Sequence, residues 1–150
     1  RPTRCPLVKE LEQLELPIRH AEGKFYAPGE IITELFARKQ VVLQYATPEG
    51  ELAQGRFPYN PNGSLRDIAG ICDASGRIFG LMPHPEAFIS AWQHPTWTRD
   101  KEFWRRRGLP YPASPGLGLK IFQNAAEYLR DRFLAAGRQN LNPIAGSEDG

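Results

Sequence analysis

The sequence is poor in sulfur: 150 residues hold two cysteines, Cys5 and Cys72, and one methionine. Two thiols in unlike contexts exclude a disulfide framework, and with three histidines at no ligand spacing they exclude a metal finger. Long hydrophobic runs are missing, since none approaches the roughly 20 residues that a membrane-spanning helix needs. No signal-peptide pattern is present either. A dominant charge is absent as well: 19 basic residues against 17 acidic ones leave +2, short of the basic stripe of a nucleic-acid binder. The one basic cluster, Arg105-Arg106-Arg107, reads as a solvated helix end. These absences leave a globular chain with free thiols, expected in the cytoplasm, with neither nucleic acid nor membrane as partner. The opening residues Arg1-Pro2-Thr3-Arg4 lack a start pattern, so the expectation is a piece of a longer protein. Residues 1–136 are expected to belong to one domain and 137–150 to form a polar tail.

What is present alternates between helix and strand signals. The spacing of Val8, Leu11 and Leu14 predicts a short helical turn, and Leu14–Ile18 and Lys24–Tyr26 read as short strands. Ile31, Ile32, Leu35 and Phe36 predict a helix over 30–39, acid first and base last. Val41–Tyr45 is the clearest strand. Gly50–Asn62 is an ordered polar loop. Ile68–Cys72 and Arg77–Met82 form a hairpin about Asp73–Gly76. A helical turn or two is expected over 87–93, a helix over 98–107, and proline-rich loop over 109–115. The clearest helix is 119–134, with Phe122, Ala125, Ala126, Leu129 and Phe133 as its buried face and Gly137 as its stop. Periodicity alone gives a mixed α and β chain.

The segment Met82-Pro83-His84-Pro85-Glu86 carries the chemistry. Each proline fixes a backbone angle and biases the residue before it toward extended geometry. Residues two apart in extended chain share a side. Glu86 is thereby placed to hold the His84 ring, the base-and-orienter half of a nucleophilic triad. The alternative is a histidine idle in a proline turn, because three-residue motifs recur by chance.

Four blocks in order bear on that choice. Pro17-Ile18-Arg19-His20-Ala21-Glu22-Gly23-Lys24-Phe25, then Tyr59-Asn60-Pro61-Asn62-Gly63-Ser64 with Ile68-Ala69-Gly70-Ile71, then Met82 to Glu86, then Gly118-Leu119-Lys120-Ile121-Phe122 span most of the chain. Together they resemble the glutaminase of phosphoribosylformylglycinamidine synthase, a class I glutamine amidotransferase. The resemblance implies the C-terminal part of an α/β three-layer, flavodoxin-like domain, with a parallel-rich sheet, helices on both faces and a small antiparallel portion. It implies that His84 is the general base and acid and Glu86 its partner. It puts His20 and Glu22 beside the glutamine pocket, although Ala21 stands where the family has glycine. A polar turn is the alternative for these two. Asn60, Asn62 and Ser64 either bound the pocket or cap turns.

The family's nucleophile is a cysteine on a glycine-rich strand-to-helix turn, and no such motif occurs here. Cys5 precedes Pro6 and Cys72 lies in a strand, so both read as ordinary packing residues. His94 reads as a surface or packing histidine and the tryptophans Trp92, Trp97 and Trp104 as packing side chains, with partner docking as the alternative for the tryptophans. The resemblance implies glutamine as substrate and a synthetase subunit or domain as partner. It implies no cofactor in this part, ATP and magnesium belonging to the synthetase. Alone, the chain is expected to be inactive. Two other readings stay open: a non-catalytic amidotransferase-like interaction module, and a class I amidotransferase with another acceptor.

Overall fold

A computed structural model describes residues 4–19, 22–112 and 114–139. The element order is helix α1 (Gly29–Ala37), strands β1 (Val41–Gln44), β2 (Ile68–Cys72) and β3 (Phe79–Leu81), then helices α2 (Trp97–Arg106) and α3 (Leu119–Gln139). The strands make one sheet in the order β1-β2-β3, antiparallel throughout, with Val41 opposite Ile71 and Gly70 opposite Leu81. The described residues therefore hold the antiparallel portion of the expected sheet and not its parallel strands. The short connection between β2 and β3 requires antiparallel pairing, because a parallel pair needs a crossover of a dozen or more residues.

Sequence pattern and structure agree where one face is buried. In α1, Ile32 is buried and Leu35 and Phe36 half-buried, while Ile31 of the expected stripe is exposed. Its acid, Glu30, sits in the first turn, where the helix dipole favours it. The β2–β3 turn is fixed by Asp73. Its carboxylate accepts the backbone N–H groups of Ser75, Arg77 and Ile78 at 3.0–3.1 Å. Bonding around Ser75, then from the backbone N–H groups, holds this carboxyl well below its ordinary pKa. A depressed folded-state pKa stabilises above the ordinary carboxylate range and is lost as pH falls through and below it. Asp73→Ala is expected to lower the melting temperature most at neutral pH. The gap to wild type should close toward about pH 2 in melts across the acid range. A gap that stays constant with pH would assign the loss to packing instead.

Several short-range readings are corrected. The segment 8–14 is not a helical turn. A 3-10 turn occupies Pro6–Val8, where Pro6 suits the first position, and Glu10 at φ 60° cannot continue a right-handed helix. Neither 14–18 nor 24–26 is a strand, because neither finds a ladder. The Phe25 N–H instead donates to the Ser64 hydroxyl, and the Phe25 carbonyl accepts from the Leu65 N–H. The expected turn over 87–93 is two 3-10 turns, Pro85–Ala87 and Ala91–Gln93. Helix α3 passes through Gly137 to Gln139 rather than stopping there; residues 140–150, most of the expected tail, lie outside the described residues.

The largest correction concerns which face of α3 is buried. Phe122, Leu129 and Phe133 are exposed, and Ala126 with them. The buried side is Ile121 and Asn124, with Ala125 and Tyr128 half-buried. Asn124 decides the rotation. Its Nδ2 donates to the carbonyls of Leu7 and Lys9 at 3.0 and 2.8 Å, closing the open carbonyls of the Pro6–Val8 turn on the helix. Periodicity finds a stripe of apolar residues, but a buried amide with two good acceptors outweighs it locally.

The core has small clusters: Cys5, Val8 and Cys72, and separately Tyr45, Ala53 and Ala69. Between residues 4–18 and β1 lies an open groove of about 1000 Å³, lined by Leu11, Leu16, Val41, Leu43, Tyr45 and Pro83 among others. The tryptophans form surface contacts: Trp92, itself 46% exposed, meets Trp97 edge-on at 5.4 Å and Tyr111 at 5.2 Å. Trp104 stands edge-on to Phe103.

Candidate active site

Strand β3 ends at Leu81, and the chain then runs through Pro83 to His84. The backbone N–H of His84 donates to the Pro17 carbonyl at 2.8 Å, anchoring the histidine to the stretch that leads into the 19–25 loop. Beyond His84 the chain does not stay extended. His84 sits at φ −104°, ψ 88°, immediately before the Pro85–Ala87 turn. Pro85 is favoured at a first turn position because it has no N–H to leave unpaired. The turn swings Glu86 back onto the ring. His84 Nδ1 and Glu86 Oε1 are 2.6 Å apart. The pairing expected from an extended strand is thus achieved by a tight turn.

The electrostatics fix the roles of the two nitrogens. The bond from His84, then the residue's own backbone N–H and the field of Arg19, hold the Glu86 carboxyl below its ordinary pKa. An ionised carboxylate accepts only, so Nδ1 carries the proton. In the neutral ring Nε2 is then the acceptor, and it has no hydrogen bond among the described residues. The imidazole is one-third exposed, at 34% of its side-chain surface, so a reacting group can reach it. An oriented base on a partly exposed ring suits proton transfer to and from a nucleophile.

Helix α3 buttresses this turn from behind. The Gly118 N–H donates to the Phe88 carbonyl at 2.9 Å. The backbones approach so closely that a Cβ on Gly118 would lie 2.0 Å from the Pro85 oxygen, and one on Gly116 would lie 2.3 Å from the Phe88 oxygen. Gly118 opens the block that resembles the family's final helix, but the close backbone approach that requires Gly116 and Gly118 is not legible from their spacing.

The Asn60–Ser64 block is a hydrogen-bonded clamp. Asn60 is 2% exposed, and its Nδ2 donates to the Ser64 carbonyl and to Asp67 Oδ1 at 2.9 and 2.8 Å. The buried Asp67 carboxylate also accepts the N–H groups of Gln54 and Gly55. Such a network is what makes a buried charge tolerable. Arg66 and Asp67 both adopt left-handed φ, 54° and 56°, which costs about 1–2 kcal/mol per residue and persists only where surroundings impose it. Asn62 faces the other way. Its Nδ2 donates to the Gly23 carbonyl at 2.6 Å and to the Tyr45 hydroxyl at 3.2 Å, while its Oδ1 accepts from the Ser64 hydroxyl at 2.7 Å. The block thus ties the loop carrying Glu22 to the sheet. Glu22 is exposed, and His20 lies outside the described residues.

The other candidates fall away from this centre. Cys5 and Cys72 are 2% and 4% exposed, and burial pushes both thiols up in pKa, the opposite of what a nucleophile needs. His94 is held between Thr96, at 2.8 Å from Nδ1, and Glu15, at 3.4 Å from Nε2, with Phe88 against its ring. It packs two segments together, as expected. Among the described residues no group of three or more His, Cys, Asp or Glu side chains is placed to hold a metal, and no helix is long and apolar enough to cross a membrane.

Known proteins carry closely similar sequence. A subunit named phosphoribosylformylglycinamidine synthase subunit PurQ from Methanococcus maripaludis is 44% identical over 124 residues, covering 83% of this chain and 46% of the relative. The protein of that name from Dehalococcoides mccartyi is 41% identical over 126 residues, covering 84% and 44%. One from Archaeoglobus fulgidus is 36% identical over 132 residues, covering 84% and 42%. The chain therefore spans about half the length of the relatives it matches. Residues 1–129 match the family of CobB/CobQ-like glutamine amidotransferase domains. With the match running through the histidine–glutamate turn, the clamp block and the start of α3, this chain belongs to that glutamine amidotransferase family.

Proposed function

We propose that this chain supplies the proton-transfer half of a glutaminase that feeds ammonia to phosphoribosylformylglycinamidine synthase. The observation that carries the reading is the 2.6 Å contact between His84 Nδ1 and Glu86 Oε1, with the histidine side chain 34% exposed. The shared name of the three relatives supports the pathway. The length of those relatives beyond this chain supports a cysteine contributed by other polypeptide.

In this reading His84 Nε2 takes the proton of the cysteine thiol. The thiolate attacks the side-chain amide carbon of glutamine, and the carbonyl oxygen becomes an oxyanion. The histidinium, steadied by Glu86, gives its proton to the departing nitrogen, and ammonia leaves a thioester. Nε2 next takes a proton from water as hydroxide adds to the thioester, and the proton returns to sulfur as glutamate departs. Glutamine and water thus yield glutamate and ammonia. Glu22 borders the glutamine, Asn62 holds its loop through the Gly23 carbonyl, and Asn60 fixes the block that carries Asn62. The synthetase partner uses ATP and magnesium to activate the amide oxygen of formylglycinamide ribonucleotide, which ammonia replaces to give the amidine. The glutaminase chain needs no cofactor for its own step.

The test uses two proteins: this chain alone, and a graft in which it replaces the segment it matches in the Methanococcus maripaludis relative. The chain alone is expected to release no glutamate from glutamine above background. The graft, with the synthetase partner, is expected to release it, and His84→Ala is expected to stop the release. Turnover by the chain alone that vanishes in Cys5→Ser or Cys72→Ser would reverse the assignment of the nucleophile. A folded His84→Ala graft as active as the unsubstituted one would remove the base. An inactive chain whose folded graft only binds the synthetase would support an interaction module instead.

A further inference from the structure

His94 stands outside the reacting centre, yet it touches both segments that hold that centre. His84 is anchored from one side, where its backbone N–H donates to the Pro17 carbonyl at 2.8 Å. Glu86 is carried from the other side by the Pro85–Ala87 turn, which ends at Phe88. Neither support is braced by a sheet: 14–18 is not a strand, and Pro85–Ala87 is a single turn. Segments with so few backbone bonds take their positions from side-chain contacts. Two residues before Pro17 is Glu15, and two residues after Glu86 is Phe88. His94 meets both. Its Nε2 lies 3.4 Å from Glu15 Oε1, and its ring lies 5.3 Å from the Phe88 ring, tilted by 54°.

The ring is placed for this by its own short segment. Gln93 Oε1 accepts the N–H groups of Ile89 and Ser90 at 2.9 and 3.0 Å. With Ser90 as the other half of the capping box, the chain curls from 89 to 93 and returns residue 94 to Phe88. His94 Nδ1 is 2.8 Å from the Thr96 hydroxyl, which donates to Asp100 Oδ2 at 2.6 Å. That chain of contacts ties one edge of the imidazole to the first turn of α2 and leaves Nε2 for Glu15. We propose that His94 is a positioning residue for the His84–Glu86 pair, a clamp that fixes the segment anchoring the histidine against the turn carrying the carboxylate. A contact of 2.6 Å leaves little room for drift, and a displacement of about 1 Å caused far from the chemistry costs up to about 100-fold in rate. The inference rests on the glutaminase reading for its effect on turnover, and not for its effect on the His84 ring.

His94→Ala, Glu15→Ala and the two together test it, by two readouts. The first is the pair of ring-nitrogen chemical shifts of His84 in the chain itself, which report which nitrogen of the neutral ring carries the proton. In the wild type the proton is expected on Nδ1, against Glu86. In His94→Ala the two shifts are expected to converge, as a loosened contact lets the tautomers mix. The second readout is steady-state kinetics of the graft with the synthetase partner. His94→Ala is expected to lower kcat about 10-fold, within the reach of a remote displacement, with KM for glutamine unchanged. Glu15→Ala is expected to lower it about 3-fold, the scale of an exposed pairing. The double variant should lose no more than His94→Ala, because Glu15 acts only through His94. A lower melting temperature in His94→Ala with the His84 shifts and kcat of wild type would overturn the proposal, leaving His94 as packing alone. Losses that multiply in the double variant would overturn it as well. If His94→Ala does not fold, Glu15→Ala carries the test at a side chain that is 76% exposed: converging His84 shifts support the clamp and unmoved shifts reject it. Converging shifts in the variants of a chain whose graft has no glutaminase activity would keep the clamp and discard the catalytic reading.

Discussion

Gly118→Ala is expected to destabilise this chain by about 3 kcal/mol, the upper part of the range for forced overpacking, and to pull the His84–Glu86 turn apart. The new methyl carbon would sit 2.0 Å from the Pro85 oxygen, 2.7 Å from its carbonyl carbon and 2.8 Å from the Phe88 oxygen. All three obstacles are backbone, so no rotamer change relieves them. Either α3 backs away, breaking the Gly118 N–H to Phe88 carbonyl bond, or the Pro85–Ala87 turn moves and takes Glu86 with it. For a chain of this size, 3 kcal/mol corresponds to a fall in melting temperature of roughly 6–12 °C. Gly29→Ala is the control: it lies at the start of α1 with nothing within 4 Å of the added carbon, so it should be neutral or slightly stabilising. Thermal melts of the three proteins decide the point. A Gly118→Ala melt indistinguishable from that of wild type would show that α3 does not press on the turn.

The fold was legible in the sequence wherever one strong local signal acted. Val41–Gln44, the hairpin about Asp73–Gly76, α1 and α2 each appear within a residue or two of their expected positions. Two kinds of information were not legible. The first is pairing: 14–18 and 24–26 alternate like strands, but a strand exists only where a neighbour completes its ladder, and the backbone of these segments bonds to the His84 N–H, the Leu65 N–H and the Ser64 hydroxyl. The second is which face a helix buries when a polar side chain decides it. For α3 the hydrophobic pattern selects Phe122, Leu129 and Phe133, while Asn124 and Ile121 are inside. A polar residue at a buried position is invisible to periodicity, yet its two bonds to Leu7 and Lys9 set the rotation of the helix. The site shows the same limit. The His84–Glu86 pairing follows from two residues flanked by prolines, but by a turn rather than by extended chain. The clamp duty of Asn62 depends on Gly23, 39 residues away in sequence, whereas Asn60 bonds locally to Ser64 and Asp67.

Glu86→Gln should cut kcat of the grafted glutaminase by about 10³–10⁴-fold, the scale seen when the carboxylate behind a catalytic histidine becomes an amide, while KM for glutamine changes little. Glu86 reaches the reaction only through His84. Its carboxylate accepts from Nδ1 and so keeps the lone pair on Nε2. A glutamine amide presents either an oxygen or an NH₂ to the ring. With the NH₂ inward, Nδ1 becomes the acceptor, Nε2 keeps its proton, and the base faces the wrong way. With the oxygen inward the tautomer survives, but no negative charge stabilises the imidazolium that forms when the thiol is deprotonated. Both outcomes weaken the transition state without touching bound glutamine, so the loss belongs in kcat. Glu22→Gln, on the loop held by Asn62, supplies the contrast. If it borders the substrate it should raise KM with a smaller effect on kcat. Steady-state kinetics of the two variants separate the roles. Because the Glu86 carboxyl is held below its ordinary pKa, the wild-type pair keeps its negative member down through mildly acidic pH, and the dependence of activity on Glu86 should persist there. A Glu86→Gln enzyme within a few-fold of wild-type kcat across that range would mean that the 2.6 Å contact braces the turn and contributes nothing to proton transfer.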